Sequence, residues 1–143
     1  MSLRVLIVDD EPPARERLRS LLAEAGEFVC AGEADNGEQA IDMVDRLLPD
    51  IVLLDVRMPG IDGLEVARHL AALPAPPAVI FTTAFDEYAL QAFDSEAVAY
   101  LLKPIRAEKL RAALATCWSC GRVRRPALAS AAFSFSARMG FSR

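Results

Sequence analysis

The chain of 143 residues has room for one ordinary domain rather than two. Hydrophobic residues make up 53% of it and charged residues 25%, which excludes a disordered protein, and a formal net charge of -4 argues against a strongly basic nucleic-acid-binding module. No apolar run has the length of a secretory signal or a membrane-spanning helix, so we predict a cytoplasmic protein without membrane contact.

Charge is unevenly distributed along the chain. Residues 1–108 contain all 20 acidic residues but only 9 of the 16 basic ones, which leaves this part with a net charge of -11. Residues 109–143 carry the other 7 basic residues and no acidic residue. Such a contrast between segments calls for an explanation, because basic tails can contact nucleic acid.

Short apolar runs alternate with longer stretches of helical periodicity. The runs are Val5–Val8, Phe28–Ala31, Ile51–Leu54, Ala78–Phe81 and Val98–Leu102, and they predict strands of a parallel sheet that is buried on both faces. The helical stripes extend from Leu18 to Ala25, Ala40 to Leu48, Leu64 to Leu70, Ala89 to Phe93 and Leu110 to Cys117. Five such repeats predict a doubly wound α/β fold with five helices. The short sheet favours the flavodoxin-like strand order 2-1-3-4-5 over a full dinucleotide-binding fold.

The predicted domain covers residues 1–120. Arg122–Pro126 would end any helix, and Ala127–Arg143 is rich in Ala, Ser and Phe without strong periodicity. Residues 121–143 are therefore expected to form the start of a linker or a poorly ordered terminus.

Polar residues follow four of the predicted strands where each strand ends. They are Asp9, Asp10 and Glu11 after the first, Asp55 after the third, Thr82 and Thr83 after the fourth, and Lys103 with Pro104 after the fifth. Ligands of such folds bind beyond these strand ends, so the side chains should converge on one rim. A single acid there would more often be a helix cap, but a set of carboxylates needs a cation, and oxygen ligands suit Mg²⁺.

Other chemistries fit the sequence less well. No glycine-rich phosphate-binding loop follows the first strand, and its Asp-Asp-Glu would repel a phosphate. A haloacid-dehalogenase-type phosphatase would need a second acid two residues after Asp55, where this chain has Arg57. The sole histidine, His69, is predicted to lie on the surface of the third helix.

The motifs together resemble the receiver domain of two-component response regulators. The resemblance covers about residues 3–118 and is carried by Val5–Pro12, Asp50–Gly63, Thr82–Ala84 and Tyr100–Pro104. Pro13–Leu18 and Ala84–Phe93 resemble the LytTR/AlgR-type subfamily, whose members usually carry a DNA-binding domain after the receiver. A CheY-like fold is what the resemblance implies. Since only about 25 residues remain, we expect that DNA-binding domain to be absent from this chain.

The resemblance also implies a set of roles. Asp55 would accept a phosphoryl group from a sensor histidine kinase. Mg²⁺ would be held by Asp10, Asp55 and the backbone carbonyl of Arg57, with Asp9 acting through metal-bound water. Lys103 would pair with the phosphoryl group, and the Lys103–Pro104 bond would be cis.

A switch pair is implied as well. Thr83 would move toward the phosphoryl group and Tyr100 would turn inward, which would reshape the face made by the fourth helix, fifth strand and fifth helix. That change would modulate homodimer formation. Thr82 is interpreted as an ordinary β-branched strand residue.

Three alternatives remain at the level of the sequence. The Cys117-x-x-Cys120 motif lies at the end of a helix, where the dipole disfavours a thiolate, so a redox or metal role is disfavoured. The basic tail could contact DNA directly. The fourth and fifth helices could also support dimerisation that is independent of phosphorylation, through Tyr88, Phe93, Arg106 and Lys109.

Overall fold

A computed structural model describes residues 2–85 and 97–119. Their elements are β1 (Leu3–Val8), α1 (Pro12–Ala25), β2 (Phe28–Ala34), α2 (Gly37–Leu47), β3 (Ile51–Asp55), α3 (Gly63–Ala71), β4 (Ala78–Thr83), β5 (Ala99–Leu102) and α4 (Ala107–Ser119). α4 is the last of the five predicted helices. The predicted fourth helix, around Ala89 to Phe93, lies outside the described residues, as do Cys120 and the basic tail.

The strands form one parallel sheet in the order β2-β1-β3-β4-β5. The predicted fold class and strand order are therefore confirmed. β2 is longer than predicted and continues through Gly32 and Glu33 to Ala34. It lies at the edge of the sheet, where a strand tolerates polar residues that the predicted apolar pattern leaves out.

Two apolar cores lie on opposite faces of the sheet. Alternate residues of the strands enter each core, because successive side chains of a strand point to opposite faces. On one face, Ile51 and Leu53 of β3 pack with residues of α1 and α4. On the other, Val52 and Leu54 pack with residues of α2 and α3. This arrangement explains why the strands are almost continuous runs of apolar residues.

Side-chain caps fix the starts of two helices. The Asn36 side chain accepts a hydrogen bond from the Gln39 N–H (2.8 Å) at the start of α2, and Asp62 accepts one from the Glu65 N–H (2.9 Å) at the start of α3. Asp62 belongs to the loop that follows β3, so its cap anchors the loop that carries Arg57. No helix among the described residues is long and apolar enough to cross a membrane.

The first residue of α3 lies directly against the end of β3. A Cβ atom at Gly63 would be 2.1 Å from the backbone oxygen of Asp55, and the Gly63 N–H donates a 2.7 Å hydrogen bond to the Val56 carbonyl. Only glycine permits so close an approach. α3 therefore holds the end of β3, and with it Asp55, in place.

Candidate functional site

Three carboxylates meet at the carboxyl ends of β1 and β3. One oxygen from each of Asp9, Asp10 and Asp55 lies within 4.8 Å of the others. Asp9 is fully buried and Asp55 is only 5% exposed, whereas Asp10 is more accessible. The structure thus brings together three of the acids that the sequence placed at strand ends, because β1 and β3 are neighbours in the sheet.

Lys103 lies beside these carboxylates at the end of β5. Its Nζ atom is 2.7 Å from Asp9 Oδ2, 3.5 Å from Asp55 Oδ2 and 3.8 Å from Glu11 Oε1. The short contact shows that Asp9, rather than Asp55, is its principal partner in this state. The Lys103–Pro104 peptide bond is cis.

Backbone contacts fix the acids in turn. Asp9 Oδ1 accepts a hydrogen bond from the Glu11 N–H (2.9 Å), and the Asp9 carbonyl accepts one from the Arg15 side chain (2.7 Å). Asp55 Oδ1 accepts a longer one from the Arg57 N–H (3.4 Å). Asp55 is therefore held more loosely than Asp9.

The electrostatics of Asp55 differ from those of an ordinary aspartate. Burial, together with the nearby charge of Asp9, raises the pKa of Asp55 to about 7, against the opposing influence of Lys103. Burial alone would lower the pKa of Lys103, but its hydrogen bond to Asp9 and the charges of Asp55 and Asp9 outweigh that effect and raise it. The site thus holds more negative charge than its one lysine neutralises.

The donor set fits a hard divalent cation. Three carboxylate oxygens within 4.8 Å of one another, with the Arg57 backbone on the adjoining loop, match the oxygen ligands and small cavity that Mg²⁺ prefers. The raised pKa of Asp55 reports the same excess of negative charge, which a bound cation would relieve.

Phe85 connects the two predicted switch residues. The Tyr100 hydroxyl donates a hydrogen bond to the Phe85 carbonyl, and the Phe85 N–H donates one to Thr83 Oγ1 (3.2 Å). The Arg57 guanidinium lies over the Phe85 ring, 4.8 Å from its centroid, in a cation–π contact. One loop residue therefore contacts the loop after Asp55 and both switch residues.

The sequence did not single out Phe85 as a site residue. Its role depends on the conformation of the loop after β4, which no residue spacing encodes. The available signals were its position two residues after Thr83 and its place in the Ala84–Phe93 stretch that resembles the LytTR/AlgR-type subfamily.

The remaining chemical groups lie away from the site. His69 is exposed on α3, as predicted. Cys117 is fully buried in the core between the sheet and helices α1 and α4. Its predicted partner in the C-x-x-C motif, Cys120, lies outside the described residues.

Comparisons with known proteins agree with this geometry. Residues 5–115 match the response regulator receiver domain family. The chain is 55% identical over 127 residues to the positive alginate biosynthesis regulatory protein of Pseudomonas aeruginosa, a match that covers 88% of this chain and 51% of that protein. It is 47% identical over 113 residues to the transcriptional regulatory protein BtsR of Escherichia coli, which covers 79% and 47% of the two chains. The signal receiver domain of NarL from Mycobacterium tuberculosis has a TM-score of 0.76 at 36% identity, over 81% of this chain and 95% of that one.

The chain belongs to the response regulator receiver domain family, a family of signalling domains rather than classical enzymes. Within it, the similarity to the alginate regulator is consistent with an AlgR-type receiver. The chain spans about half the length of the curated relatives that it matches. Receiver domains are phosphorylated by sensor histidine kinases and generally bind Mg²⁺ at an acidic pocket. Asp9, Asp10 and Asp55 form an acidic cluster in this chain.

Proposed function

We propose that this protein accepts a phosphoryl group on Asp55 from a phosphohistidine of a sensor histidine kinase and changes the surface around β5 in response. The observation that carries the proposal is the placement of Asp55. Its carboxylate is buried beside two further acids and the Lys103 ammonium, at the end of a central strand.

Asp55 is suited to be the nucleophile. Its carboxylate oxygen attacks phosphorus, the bond from phosphorus to the imidazole nitrogen breaks, and the imidazole leaves with that electron pair. Burial leaves the Asp55 carboxylate poorly solvated and raises its pKa, so its ionised form is a better nucleophile than an exposed carboxylate. Asp9 is engaged by Lys103 at 2.7 Å, whereas Asp55 accepts longer hydrogen bonds and is freer to react.

The other site residues hold charge in place. Asp10, Asp55 and the Arg57 carbonyl would hold Mg²⁺ directly, and Asp9 would hold it through water. The ion, when bound, neutralises charge on the transferring group. Lys103 donates hydrogen bonds to a phosphoryl oxygen, which its position between Asp9 and Asp55 permits with little movement.

The change at Asp55 reaches the surface through the contacts around Phe85. The Thr83 hydroxyl accepts a hydrogen bond from the Phe85 N–H in this state, and the partly buried Tyr100 side chain is held by its bond to the Phe85 carbonyl. A phosphoryl group supplies strong acceptor oxygens to which the Thr83 hydroxyl can donate, and that bond would draw Thr83 away from the Phe85 N–H. Movement of Thr83 alters Phe85, releases Tyr100 and changes the surface near β5, which would modulate homodimer formation.

Control of transcription is the output that the relatives suggest. Two of them are named as an alginate biosynthesis regulator and a transcriptional regulator. In this proposal DNA contact would come from a separate DNA-binding domain rather than from the receiver.

The test is incorporation of one phosphoryl group. We expect incubation with Mg²⁺ and acetyl phosphate to give a base-labile mass increase of one phosphoryl group, which intact-protein mass spectrometry detects. Asp55→Asn should lose the adduct, because an amide is not a nucleophile here. Asp45→Asn, at an exposed position of α2, is the matched control and should be labelled like the wild type. An unlabelled wild type, or equal labelling of Asp55→Asn, would refute the proposal.

The switch makes a separate prediction. Tyr100→Phe removes the hydroxyl that bonds to the Phe85 carbonyl, so it should lower the free energy of unfolding of the unphosphorylated protein by about 0.5–1.5 kcal/mol. It should also raise the self-association of the unphosphorylated protein toward that of the phosphorylated protein, as measured by sedimentation velocity. Self-association that does not respond to phosphorylation in the wild type would instead favour the phosphorylation-independent dimer.

A further inference from the structure

The hydroxyl of Thr82 is buried and has no hydrogen-bond partner among the described residues. Thr82 is fully buried in β4, and within the part of the chain that the structure describes its Oγ1 atom makes no hydrogen bond. A buried polar atom that lacks a partner is unfavourable, so such atoms are rare in native proteins. The interpretation of Thr82 as an ordinary β-branched strand residue does not account for a hydroxyl at this position, where valine would have the same shape.

Thr82 and Asp55 lie side by side. They are register partners in the parallel pair of β3 and β4. Strand neighbours in a sheet are about 4.8 Å apart, and register partners point to the same face. The alternation of side chains along each strand leads to the same result. Ile51 and Leu53 of β3 and Ile80 of β4 all lie in the core that faces α1 and α4. Asp55 and Thr82, each two residues further along its strand, are therefore on that face too.

Thr83 faces the other way. Its strand neighbour Phe81 lies in the core that faces α2 and α3, and Thr83 is on the same side of β4 as Phe81. Its hydroxyl already accepts a hydrogen bond from the Phe85 N–H. Thr82 shares its face with Asp55, and its hydroxyl neither donates nor accepts a hydrogen bond within the described residues.

We propose that Thr82 is a positioning residue whose hydroxyl donates a hydrogen bond to an oxygen of the acyl phosphate formed on Asp55. The inference rests on the proposed function. Phosphorylation adds strong acceptor oxygens to the side chain next to Thr82. The Thr82 hydroxyl, which makes no hydrogen bond within the described part of the unphosphorylated protein, gains an acceptor in the phosphorylated protein. Thr82 therefore favours the phosphorylated state at the expense of the unphosphorylated one.

The proposal predicts effects of opposite sign in the two states. Thr82→Val keeps the shape of the side chain and removes the hydroxyl. It should leave the thermal midpoint of the unphosphorylated protein unchanged or higher, because the buried atom without a partner is gone. It should weaken the binding of beryllofluoride, a phosphoryl mimic, in the presence of Mg²⁺ by roughly tenfold, the factor that about 1.4 kcal/mol produces. A merely structural role would lower stability in both states.

The experiment compares four proteins. Wild type, Thr82→Val, Thr82→Ser and Thr116→Val are titrated with beryllofluoride and Mg²⁺ by calorimetry, and their thermal midpoints are measured without ligand. Thr116 is exposed on α4, so its variant controls for loss of a hydroxyl elsewhere. Thr82→Ser restores the donor and should recover affinity.

The outcomes separate the two hypotheses. Wild-type affinity in Thr82→Val, or a loss of affinity that Thr82→Ser does not recover, would overturn the role of Thr82 and leave the proposed function intact. A wild type that neither binds beryllofluoride nor is labelled by acetyl phosphate would overturn the proposed function, and the role of Thr82 with it.

Discussion

Lys103→Met is expected to lower the free energy of unfolding by about 2–3 kcal/mol at pH 8 and to reduce phosphoryl labelling by at least about tenfold. Lys103 is the cation that contacts both Asp9 and Asp55 within the described residues. Its removal leaves buried carboxylates facing one another without a counter-charge. The lysine side chain is 21% exposed, so the expected loss is below the roughly 3–5 kcal/mol found when a fully buried pair is broken.

The pH dependence identifies the cause of this loss. Lys103 opposes the rise in the pKa of Asp55, so in Lys103→Met that pKa should rise further. Below it, the carboxyl is protonated and the repulsion is relieved, and the destabilisation should shrink between pH 8 and pH 5. Urea unfolding at both pH values, with a chelator present, measures the difference. Lys109→Met, at an exposed position of α4, is the control and should behave like the wild type. An equal loss at the two pH values would show that packing rather than charge is responsible.

Asp55→Asn is expected to stabilise the metal-free protein above neutral pH. The pKa of Asp55 is about 7 in the folded protein, against about 3.9 for an ordinary aspartate. Between these values the folded state binds more protons than the unfolded state, so stability falls as pH rises through this range. Above pH 7 the wild type has therefore lost stability relative to acid conditions, and a neutral amide avoids that loss.

The measurement is the difference in unfolding free energy between Asp55→Asn and wild type at pH 5, 6, 7 and 8, with a chelator. The difference should grow with pH and level off above pH 7. Millimolar Mg²⁺ should reduce it at pH 8, because the ion binds the wild-type carboxylates and favours the folded state. Asp45→Asn should show no comparable trend. A difference that does not change with pH would contradict the raised pKa of Asp55.

Much of the fold and site could be predicted because two simple patterns agree. Continuous apolar runs such as Ile51–Leu54 indicate strands buried on both faces, and the alternation with helices indicates a parallel sheet. Once the strand order is assumed, the residues at the strand ends must meet. Asp9, Asp10, Asp55 and Lys103 do so in the structure.

The features that could not be predicted depend on register and on loop conformation. Which of Thr82 and Thr83 shares a face with Asp55 follows from the register of β3 and β4, which the composition of a buried strand does not fix. Phe85 contacts Arg57 because of how the loop after β4 folds. Lys103 Nζ is 2.7 Å from Asp9 Oδ2 and 3.5 Å from Asp55 Oδ2. The spacing of residues in the sequence cannot resolve so small a difference between neighbouring carboxylates.

The order of the strands along the chain also sets the order in which the site residues become available during synthesis. A chain emerging from the ribosome presents Asp9 first, Asp55 after β3, and Lys103 only at the end of β5, the last strand and an edge of the sheet. Until β5 joins β4, the acids have no lysine beside them. The Asp55 carboxylate and its counter-charge therefore come together only in a molecule whose sheet is finished, and under the proposed function an incompletely folded chain would accept a phosphoryl group poorly.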